Sequence, residues 1–422
     1  MPSVLEGNVL FRSIYCWLAA SEGNAESCTP AGAASVRDGL LPPNWEWLAY
    51  TIAALSITML LINTFMVLTM IYIYMERRLI GRFQSRVGPN RVGPFGLLQP
   101  IADGIKLLTK EDTIPDGADK WVFNLAPIVM LAPLLLVLAV LPFGKDSFLA
   151  NLNIGILFIV AVTSVNTLAM FMAGFASGNR YSMFGGMRAV AQLISYEIPV
   201  VLAIVGVLLL SGSFSLVSIV EAQRLPFILL QPLGFFIFVA GSSAEMNRTP
   251  FDLVEADSEL VAGYQTEYSG MKWGLFMLAE FGAVLVTSGV IVTLYLKGWE
   301  GPFLPSHLWF LIKVFSLAFI FLWVRATLPR LRIDQVMDFA WKFLLPLGLV
   351  NVFVTAAEIL ILGEETIVDG LTQRVFTTQD LWTMAGVNFG VLILGIVIFS
   401  HMITLRPRPR PLMDASSYTM EV

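Results

Sequence analysis

Long apolar segments alternate with short polar loops along most of the chain. Nine of these segments approach or exceed the roughly 20 apolar residues that a helix needs to cross a bilayer. Their predicted bounds are 48–75, 121–142, 154–176, 189–211, 226–244, 272–297, 306–328, 343–362 and 384–404. The shorter alternating pattern that marks the strands of an outer-membrane barrel does not occur. The sequence therefore predicts an all-α, polytopic membrane protein with about nine transmembrane helices.

The composition agrees with this prediction. Of the 422 residues, 56% are hydrophobic and only 14% are charged, whereas soluble domains have about 25% charged residues. The polar stretches are too short to form a separate soluble domain. The formal net charge of −5 indicates little by itself, because the side of the membrane on which each charge lies matters more.

Basic residues are concentrated in alternate loops. The segments 76–120, 177–188, 245–272, 325–342 and 405–422 hold 19 of the 26 Lys and Arg residues. Because cytoplasmic loops carry the excess of Lys and Arg, we expect the N-terminus outside and the C-terminus inside. The expected organisation is an extracytoplasmic extension (1–46), a membrane domain (47–404) and a cytoplasmic tail (405–422). A Cys16–Cys28 disulfide is compatible with that placement of the extension.

The first basic loop leads into an amphipathic segment. RVGP occurs at Arg86 and again at Arg91, and the two Gly-Pro pairs rule out a continuous helix there. In the following residues, 97–110, the apolar side chains share one face and Gln99, Asp103 and Lys106 share a narrow stripe. We expect this helix to lie along the membrane surface. Its role is either purely structural, at the membrane surface, or to line an entrance for a ligand with a polar head group.

Two carboxylic acids lie inside predicted spans at matching depths. Glu197 and Glu280 are each about 12 Å from the inner face, and Asn166 is about 15 Å from it. Ionisable groups at such depths are costly and mark functional sites, so we interpret the pair as proton-handling. Lys313 and Glu358 lie nearer the outer face, and we interpret them as structural. Because the acids occupy the inner half, we expect this chain alone not to carry a proton across the membrane.

The loop after the fifth span is strongly acidic. AEMNRTPFDLVEADSELVAGYQTEY, residues 244–268, holds six acids and one base, Arg248. These acids are Glu245, Asp252, Glu255, Asp257, Glu259 and Glu267. Carboxylates held this close raise the pKa of at least one of them and titrate as a group. The loop either handles protons or docks a basic partner, and its aromatic and small residues indicate a packed loop.

No metal or haem site is expected. Cys16 and Cys28 both precede the first span, and the two histidines, His307 and His401, lie near opposite faces. An iron–sulfur or zinc site needs a cluster of ligands, and a bis-histidine haem needs both side chains at one depth. Nothing in the pattern indicates nucleic-acid binding.

Four stretches carry a family resemblance. ERRLIGRFQSRVGPNRVGPFGLLQPIADGIKLLTKED (76–112) and AEMNRTPFDLVEADSELVAGYQTEYSG (244–270) resemble the signature stretches of the NADH dehydrogenase subunit 1 family, the H subunits of respiratory complex I. LISYEIP (193–199) and RATLPRLRIDQVMDFAWKFLLP (325–346) also match, so the resemblance covers about residues 48–362. The chain departs from the family pattern in its longer leader, in Asp257 where Glu is usual, in AEM for AET, and in a last span that only some members have.

The resemblance implies a function. The family forms the membrane part of the quinone chamber and its entrance in a proton-translocating NADH:quinone oxidoreductase, in the bacterial cytoplasmic membrane. The implied substrate is ubiquinone or menaquinone. The implied partners are peripheral-arm subunits that carry the quinone site and iron–sulfur clusters, small neighbouring membrane subunits and lipid. The resemblance implies no flavin, iron–sulfur or other redox centre in this chain.

The resemblance also implies roles for individual residues. The quinone entrance and chamber, built from the loop and helix 76–112, would be lined or flanked by Arg77, Arg82, Arg86, Phe95, Asp103 and Lys106. The acidic connection, which includes the loop 245–271, would be formed by Glu197, Glu245, Asp252, Glu255, Asp257, Glu259, Glu267 and Glu280. Arg248, Arg330 and Arg332 would pair with acids or contact peripheral subunits.

Three other functions fit parts of the sequence. The chain could be the homologous subunit of a membrane-bound hydrogenase or of a dehydrogenase with another electron donor. A proton-coupled transporter would show inverted repeats and mid-membrane helix breaks, and no repeat between the halves is apparent. A pure assembly scaffold leaves the buried Glu197 and Glu280 unexplained.

Overall fold

The computed structural model describes residues 11, 13–15, 46–145, 147–254, 261–368 and 371–404. Within these ranges the chain is almost entirely helical. The α-helices are α1 (Glu46–Phe83), α2 (Gln99–Thr109), α3 (Lys120–Val140), α4 (Gly155–Thr163), α5 (Val165–Ala176), α6 (Arg180–Ser211), α7 (Leu216–Ala222), α8 (Phe227–Leu230), α9 (Pro232–Glu245), α10 (Gly270–Tyr295), α11 (Ser306–Thr327), α12 (Ile333–Phe339), α13 (Leu345–Leu362) and α14 (Thr378–Thr404).

Eight helical segments in the described ranges have the length and apolar character needed to cross a membrane. They correspond to eight of the nine predicted spans. The ninth, predicted at 226–244, is interrupted at Gln231, where φ is −134° and Pro232 follows. It therefore consists of α8 and the 14-residue α9, so the segment predicted as one continuous helix at 226–244 is divided into two.

Three spans extend well beyond their predicted bounds. Helix α6 begins at Arg180, before the predicted start at 189. Helix α1 continues to Phe83, so that Arg77 and Arg82 are helical instead of lying in a loop. Helix α12 joins α13 through a π-helical turn, Ala340–Leu344. All three extensions are the more polar ends of apolar helices, which hydropathy alone does not detect.

Helix α6 is the centre of the bundle. It packs against α5, α9 and α13, while α10 packs against α3 and α11. Tyr196, Ala203 and Val207 on α6 are completely buried. Two short antiparallel strands, β1 (Glu364–Val368) and β2 (Leu371–Val375), join α13 to α14.

The amphipathic helix is confirmed as α2. Its apolar residues Ile101, Ile105 and Leu108 are exposed, whereas Asp103 on the other face contacts α1 through Arg77. Helix α2 also packs against the start of α10. Because short connections make successive spans antiparallel, the start of α2, the end of α1 and the end of α9 lie at the same end of the bundle. We call it the arginine-rich end.

Lys313 has the structural role expected from the sequence. Its ammonium group donates hydrogen bonds to the backbone carbonyls of Leu296, Gly298 and Glu300, at 2.7, 2.9 and 2.7 Å. These carbonyls follow the end of α10, where backbone acceptors have no helical partner. Lys313 therefore ties the end of α10 to α11.

Candidate functional site

Four charged side chains meet inside the arginine-rich end. Glu76 comes from α1, Glu280 from α10, Arg325 from α11, and Arg248 follows the end of α9. Arg248 lies between the two acids, with its Nη1 3.3 Å from Glu76 Oε1 and its Nη2 3.4 Å from Glu280 Oε1. Arg325 forms a second ion pair with Glu76. We call these four residues the ion cluster, and its two positive and two negative charges balance.

Three members of the ion cluster are shielded from water, while the side chain of the fourth, Arg325, is 30% exposed. The side chains of Arg248, Glu76 and Glu280 are only 4, 6 and 11% exposed. The Arg248 guanidinium also lies over the Phe281 ring, 4.7 Å from its centroid, and Tyr72 packs edge-on against Phe281. In such surroundings a buried charge is tolerated only when it is paired, so the partners fix one another's positions.

The chain after Arg248 is fixed by a further ion pair. Asp252 accepts a hydrogen bond from Arg330 Nη2 at 2.9 Å, and its side chain is 10% exposed. Arg332 begins α12, where its backbone N–H donates to Gln335. The predicted pairing with acids therefore holds for Arg248 and Arg330, while a contact between Arg332 and peripheral subunits stays a prediction.

A second acidic site lies beside the ion cluster. Glu197 and Glu245 line a small cavity of about 70 Å³ together with Ser164 and Asn166. The Ser164 hydroxyl donates a hydrogen bond to Glu197. The Asn166 Oδ1 atom is buried, with no hydrogen-bond partner among the residues that the structure describes. We call this the paired-glutamate pocket.

The structure separates two acids that the sequence placed at one depth. Glu280 belongs to the ion cluster, whereas Glu197 belongs to the paired-glutamate pocket. The end of α9 links the two sites, since Glu245 lines the pocket and Arg248, three residues later, lies at the centre of the ion cluster.

A larger cavity connects the ion cluster to the arginine-rich loop. It has a volume of about 870 Å³. Glu76, Arg77 and Phe281 line it from α1 and α10, and Arg86 and Gln99 line it from the loop and α2. Its wall thus combines an aromatic ring, an amide and guanidinium donors with one buried carboxylate. We call it the entrance cavity.

The wall of the entrance cavity is held by polar contacts between α1 and α2. Arg77 forms an ion pair with Asp103, and Gln99 Nε2 donates to Asp103 Oδ1 at 3.2 Å. On another face of α1, the Arg78 guanidinium and the Tyr74 hydroxyl both donate to the carbonyl of Phe95, at 3.0 and 2.8 Å. These contacts therefore hold the loop and α2 against the end of α1.

Not all predicted entrance residues line this cavity. Arg77 and Arg86 line it. Asp103 is not part of its wall but forms an ion pair with Arg77. Arg82, Phe95 and Lys106 are exposed and are not part of its wall. Phe95 is 71% exposed, and its backbone instead anchors the loop.

The acidic loop is packed at both flanks. Arg248, Asp252 and Val254 are buried on one side of it, and Tyr264 and Tyr268 on the other. Tyr268 stacks on Phe123 at 4.0 Å, and burial raises the pKa of its hydroxyl. Glu255, Asp257 and Glu259 lie outside the described residues, so their convergence stays a prediction.

The C-terminal flank of the acidic loop lies directly on α6. A Cβ atom on Gly185 would be 2.7 Å from the backbone of Gly263, so glycine is needed for this approach. Ser182 Oγ donates to the Tyr264 carbonyl at 3.1 Å. Glu267 accepts a hydrogen bond from Asn179 at 2.7 Å, and Asn179 also caps α6. Glu267 therefore supports the fold of the loop.

Sequence reasoning assigned no role to two members of the ion cluster, Glu76 and Arg325. The signal for Glu76 was helical spacing, because it continues the buried stripe of Phe65, Thr69 and Tyr72 on α1. Because Glu76 lies beside two arginines at the end of an apolar run, the buried stripe was difficult to recognise in the sequence. Arg325 shows no comparable signal, since it ends a span in the way that basic residues commonly do.

Comparisons with known proteins support one family. The family model described as NADH dehydrogenase matches residues 55–356. The H subunit of NADH-quinone oxidoreductase from Dehalococcoides mccartyi (strain CBDB1) is 54% identical over 338 residues, which cover 80% of this chain and 91% of that protein. The second H subunit of Syntrophobacter fumaroxidans is 47% identical over 329 residues, covering 76% of this chain and 99% of that protein. The chain therefore belongs to the family of NADH-quinone oxidoreductase H subunits, as the resemblance of its basic loop and acidic segment indicated.

Proposed function

We propose that this chain is the membrane subunit of a proton-translocating NADH:quinone oxidoreductase and that the entrance cavity receives the quinone head group. The observation that carries the proposal is the shared wall of this cavity. The same space is lined by Glu76 of the ion cluster, by Arg77 of α1, and by Arg86 and Gln99 of the loop and α2. Its volume of about 870 Å³ lies within the usual range for small-molecule sites.

The side chains of the wall suit a quinone. Guanidinium and amide N–H groups donate hydrogen bonds, and the two quinone carbonyl oxygens accept them. The Phe281 ring offers an apolar surface for the quinone ring. The exposed apolar face of α2 would lie in lipid, from which a quinone with an isoprenoid tail would enter. Ubiquinone and menaquinone share the carbonyl groups on which this recognition depends.

The electrons would come from a partner. As the family resemblance implies, the donor would be an iron–sulfur centre in a peripheral-arm subunit that docks on the arginine-rich end. The acidic loop and Arg332 would contact that subunit, and the small membrane subunits would cover other faces of the bundle.

The coupling would be electrostatic. Quinone reduction adds negative charge and then draws two protons to a head group beside Glu76. Two unit charges roughly 10 Å apart interact by about 1.7 kcal/mol at an effective dielectric constant of about 20, which is enough to move a proton equilibrium about tenfold. The ion cluster would respond first, and the end of α9 would carry the change to Glu245 and Glu197.

The proposed orientation follows the distribution of basic residues. It places the arginine-rich end at the cytoplasmic side of a bacterial cytoplasmic membrane, the extension 1–46 outside and the tail 405–422 inside. Quinone would then be reduced at the side on which NADH is oxidised.

Neutralising the paired-glutamate pocket tests the coupling. We expect Glu245→Gln and Glu197→Gln each to lower NADH:quinone reduction by the assembled complex at least tenfold, because neither amide can change its charge during turnover. NADH:ferricyanide reduction, which bypasses the quinone, should be unchanged. Glu221→Gln, which alters an exposed acid at the opposite end, is the matched control. Normal quinone reduction in both pocket variants would contradict the proposed relay.

The Arg77–Asp103 pair tests the entrance. We expect Asp103→Asn to raise the KM for a short-chain quinone several-fold while kcat changes less, because α2 loses its ionic link to α1 and the cavity wall loosens. The exchanged pair, Arg77→Asp with Asp103→Arg, should recover part of the loss. Asp112→Asn, which removes a different ion pair of the same region, should leave the KM unchanged. Equal KM values in all these variants would rule out the entrance role.

A further inference from the structure

A second set of buried polar side chains lies away from the ion cluster and the entrance cavity. Its members are Gln231 at the break between α8 and α9, Asn351, Thr355 and Glu358 on α13, and Asn388 on α14. All five are buried, and Glu358, the most accessible, is only 6% exposed. We call this set the polar seam.

The polar seam is continuous along one face of α13. Positions 351, 355 and 358 are four and three residues apart, which places them on the same side of a helix. Gln231 Nε2 donates to Thr355 Oγ1 at 3.0 Å, and Thr355 Oγ1 donates to the Asn351 carbonyl at 2.8 Å. Asn388 Nδ2 donates to Glu358 Oε2 at 2.7 Å. Three membrane-crossing segments thus contribute to a single polar line.

The seam holds many polar atoms that lack a protein partner. Gln231 Oε1, both polar side-chain atoms of Asn351, Glu358 Oε1 and Asn388 Oδ1 are buried and accept or donate no hydrogen bond within the described ranges. Leaving such an atom unsatisfied is energetically costly. Buried water commonly satisfies groups of this kind where several polar atoms converge.

The backbone around the seam is arranged to leave room for these groups. A Cβ atom at Gly206 of α6 would lie 2.8 Å from Asn351 Nδ2, and one at Gly234 of α9 would lie 3.1 Å from it. The fifth span is interrupted beside them at Gln231. Irregular backbone at membrane depth occurs where it is enclosed by protein or lines water.

The carboxyl group of Glu358 is the ionisable member of the seam. It lies four residues before the end of α13 at Leu362, or about 6 Å along the helix axis. That end is opposite the arginine-rich end. No described side chain forms a salt bridge with Glu358, and Asn388 is its polar side-chain partner. A carboxylate at such a site is costly and marks a functional position.

We propose that the polar seam is an internal water site in which Glu358 takes up and releases a proton at the end of the bundle opposite the quinone. A neighbouring hydronium would lose a proton to Glu358 Oε1, forming one O–H bond as another breaks, and the reverse step would return it to water. The chain would then have a protonatable carboxyl group in each half of the membrane. This inference rests on the proposed function for its role in pumping, while the hydration of the seam does not.

The first test detects the water directly. Met384 is completely buried, and its carbonyl accepts a hydrogen bond from Asn388, so it lies next to the seam. Hydroxyl radicals generated by a brief X-ray pulse on the intact complex should oxidise Met384. Met130, which is also buried but belongs to a separate cluster of buried residues on α3 and α5, away from the seam, should remain unmodified. Equal protection of both methionines would overturn the water site.

The second test detects the proton. Infrared difference spectra between oxidised and quinone-reducing complex should show a carboxylic acid C=O band that shifts in heavy water and is lost in Glu358→Gln. The substitution keeps the shape and hydrogen-bonding capacity of the side chain, so the subunit should still assemble. Glu221→Gln, at the same end but exposed, should leave the band unchanged.

The outcomes separate the two proposals. Identical spectra from Glu358→Gln and the wild type would contradict proton uptake by Glu358. The residue would then have only a structural role, linking α13 to α14 through Asn388. Failure of the wild-type complex to reduce quinone would refute the proposed function instead, and the oxidation of Met384 would still decide whether the seam holds water.

Discussion

Replacing Arg248 with Met is expected to prevent stable assembly of the subunit, the largest effect of any single substitution considered for this chain. Arg248 lies between Glu76 and Glu280, and all three side chains are almost fully buried. Removing one partner from a buried ion pair costs about 3–5 kcal/mol, because the remaining charge has no compensation. Arg325 would still pair with Glu76, but Glu280 would lose its ionic partner. The measurement is the amount of subunit in the purified complex, together with its melting temperature.

The free-energy cost of burying the unpaired Glu280 carboxylate should disappear when that carboxylate is neutralised as well. We expect Arg248→Met combined with Glu280→Gln to assemble better than Arg248→Met alone, because the double variant buries no uncompensated acid. The matched control is Arg180→Met, which removes an exposed arginine at the start of α6. If Arg248→Met assembles as well as Arg180→Met, the balanced ion cluster is not what holds the four segments together.

Filling the entrance cavity is expected to produce the largest functional loss. Ile80 on α1 lines this cavity, and an indole at that position would occupy space that the quinone head group needs. We expect Ile80→Trp to raise the KM for quinone more than tenfold while NADH:ferricyanide reduction is retained. Steady-state kinetics of the complex with both acceptors would measure the effect.

A second tryptophan on the same helix provides the control. Ile71 is exposed on the outer face of α1, and Ile71→Trp adds the same volume away from the cavity. Its kinetics should match those of the wild type. Equal KM values for Ile71→Trp and Ile80→Trp would show that the entrance cavity is not on the path of the quinone.

Much of the architecture could be predicted because bilayer thickness restricts it. The apolar runs identified the positions of eight long spans, and the spacing of apolar residues identified α2 as amphipathic. The break at Gln231 was missed, because Gln231 and Pro232 are flanked by apolar residues on both sides and hydropathy averages over a window. The strands β1 and β2 were also missed, since a short polar connection carries little periodic signal.

The candidate site was predicted only in part, because depth along a helix does not fix direction around its axis. Glu197 and Glu280 have the same depth but point into different sites. The role of Arg248 likewise depends on where α1, α10 and α11 meet, and local sequence cannot report that. Glu358 was interpreted as structural from its position near the end of a span. Its unsatisfied Oε1 and its neighbours on α8–α9 and α14 became apparent only after the helices were packed.

Photoaffinity labelling is the most direct test of the claim that the entrance cavity holds the quinone. A short-chain azidoquinone that is reduced by the complex would be photolysed in the membrane, and the labelled peptides of this chain would be mapped by mass spectrometry. The account predicts labels within residues 76–99 and around Phe281, and their loss when excess unlabelled quinone competes. Labels confined to the opposite end of the bundle, or insensitive to competition, would contradict it.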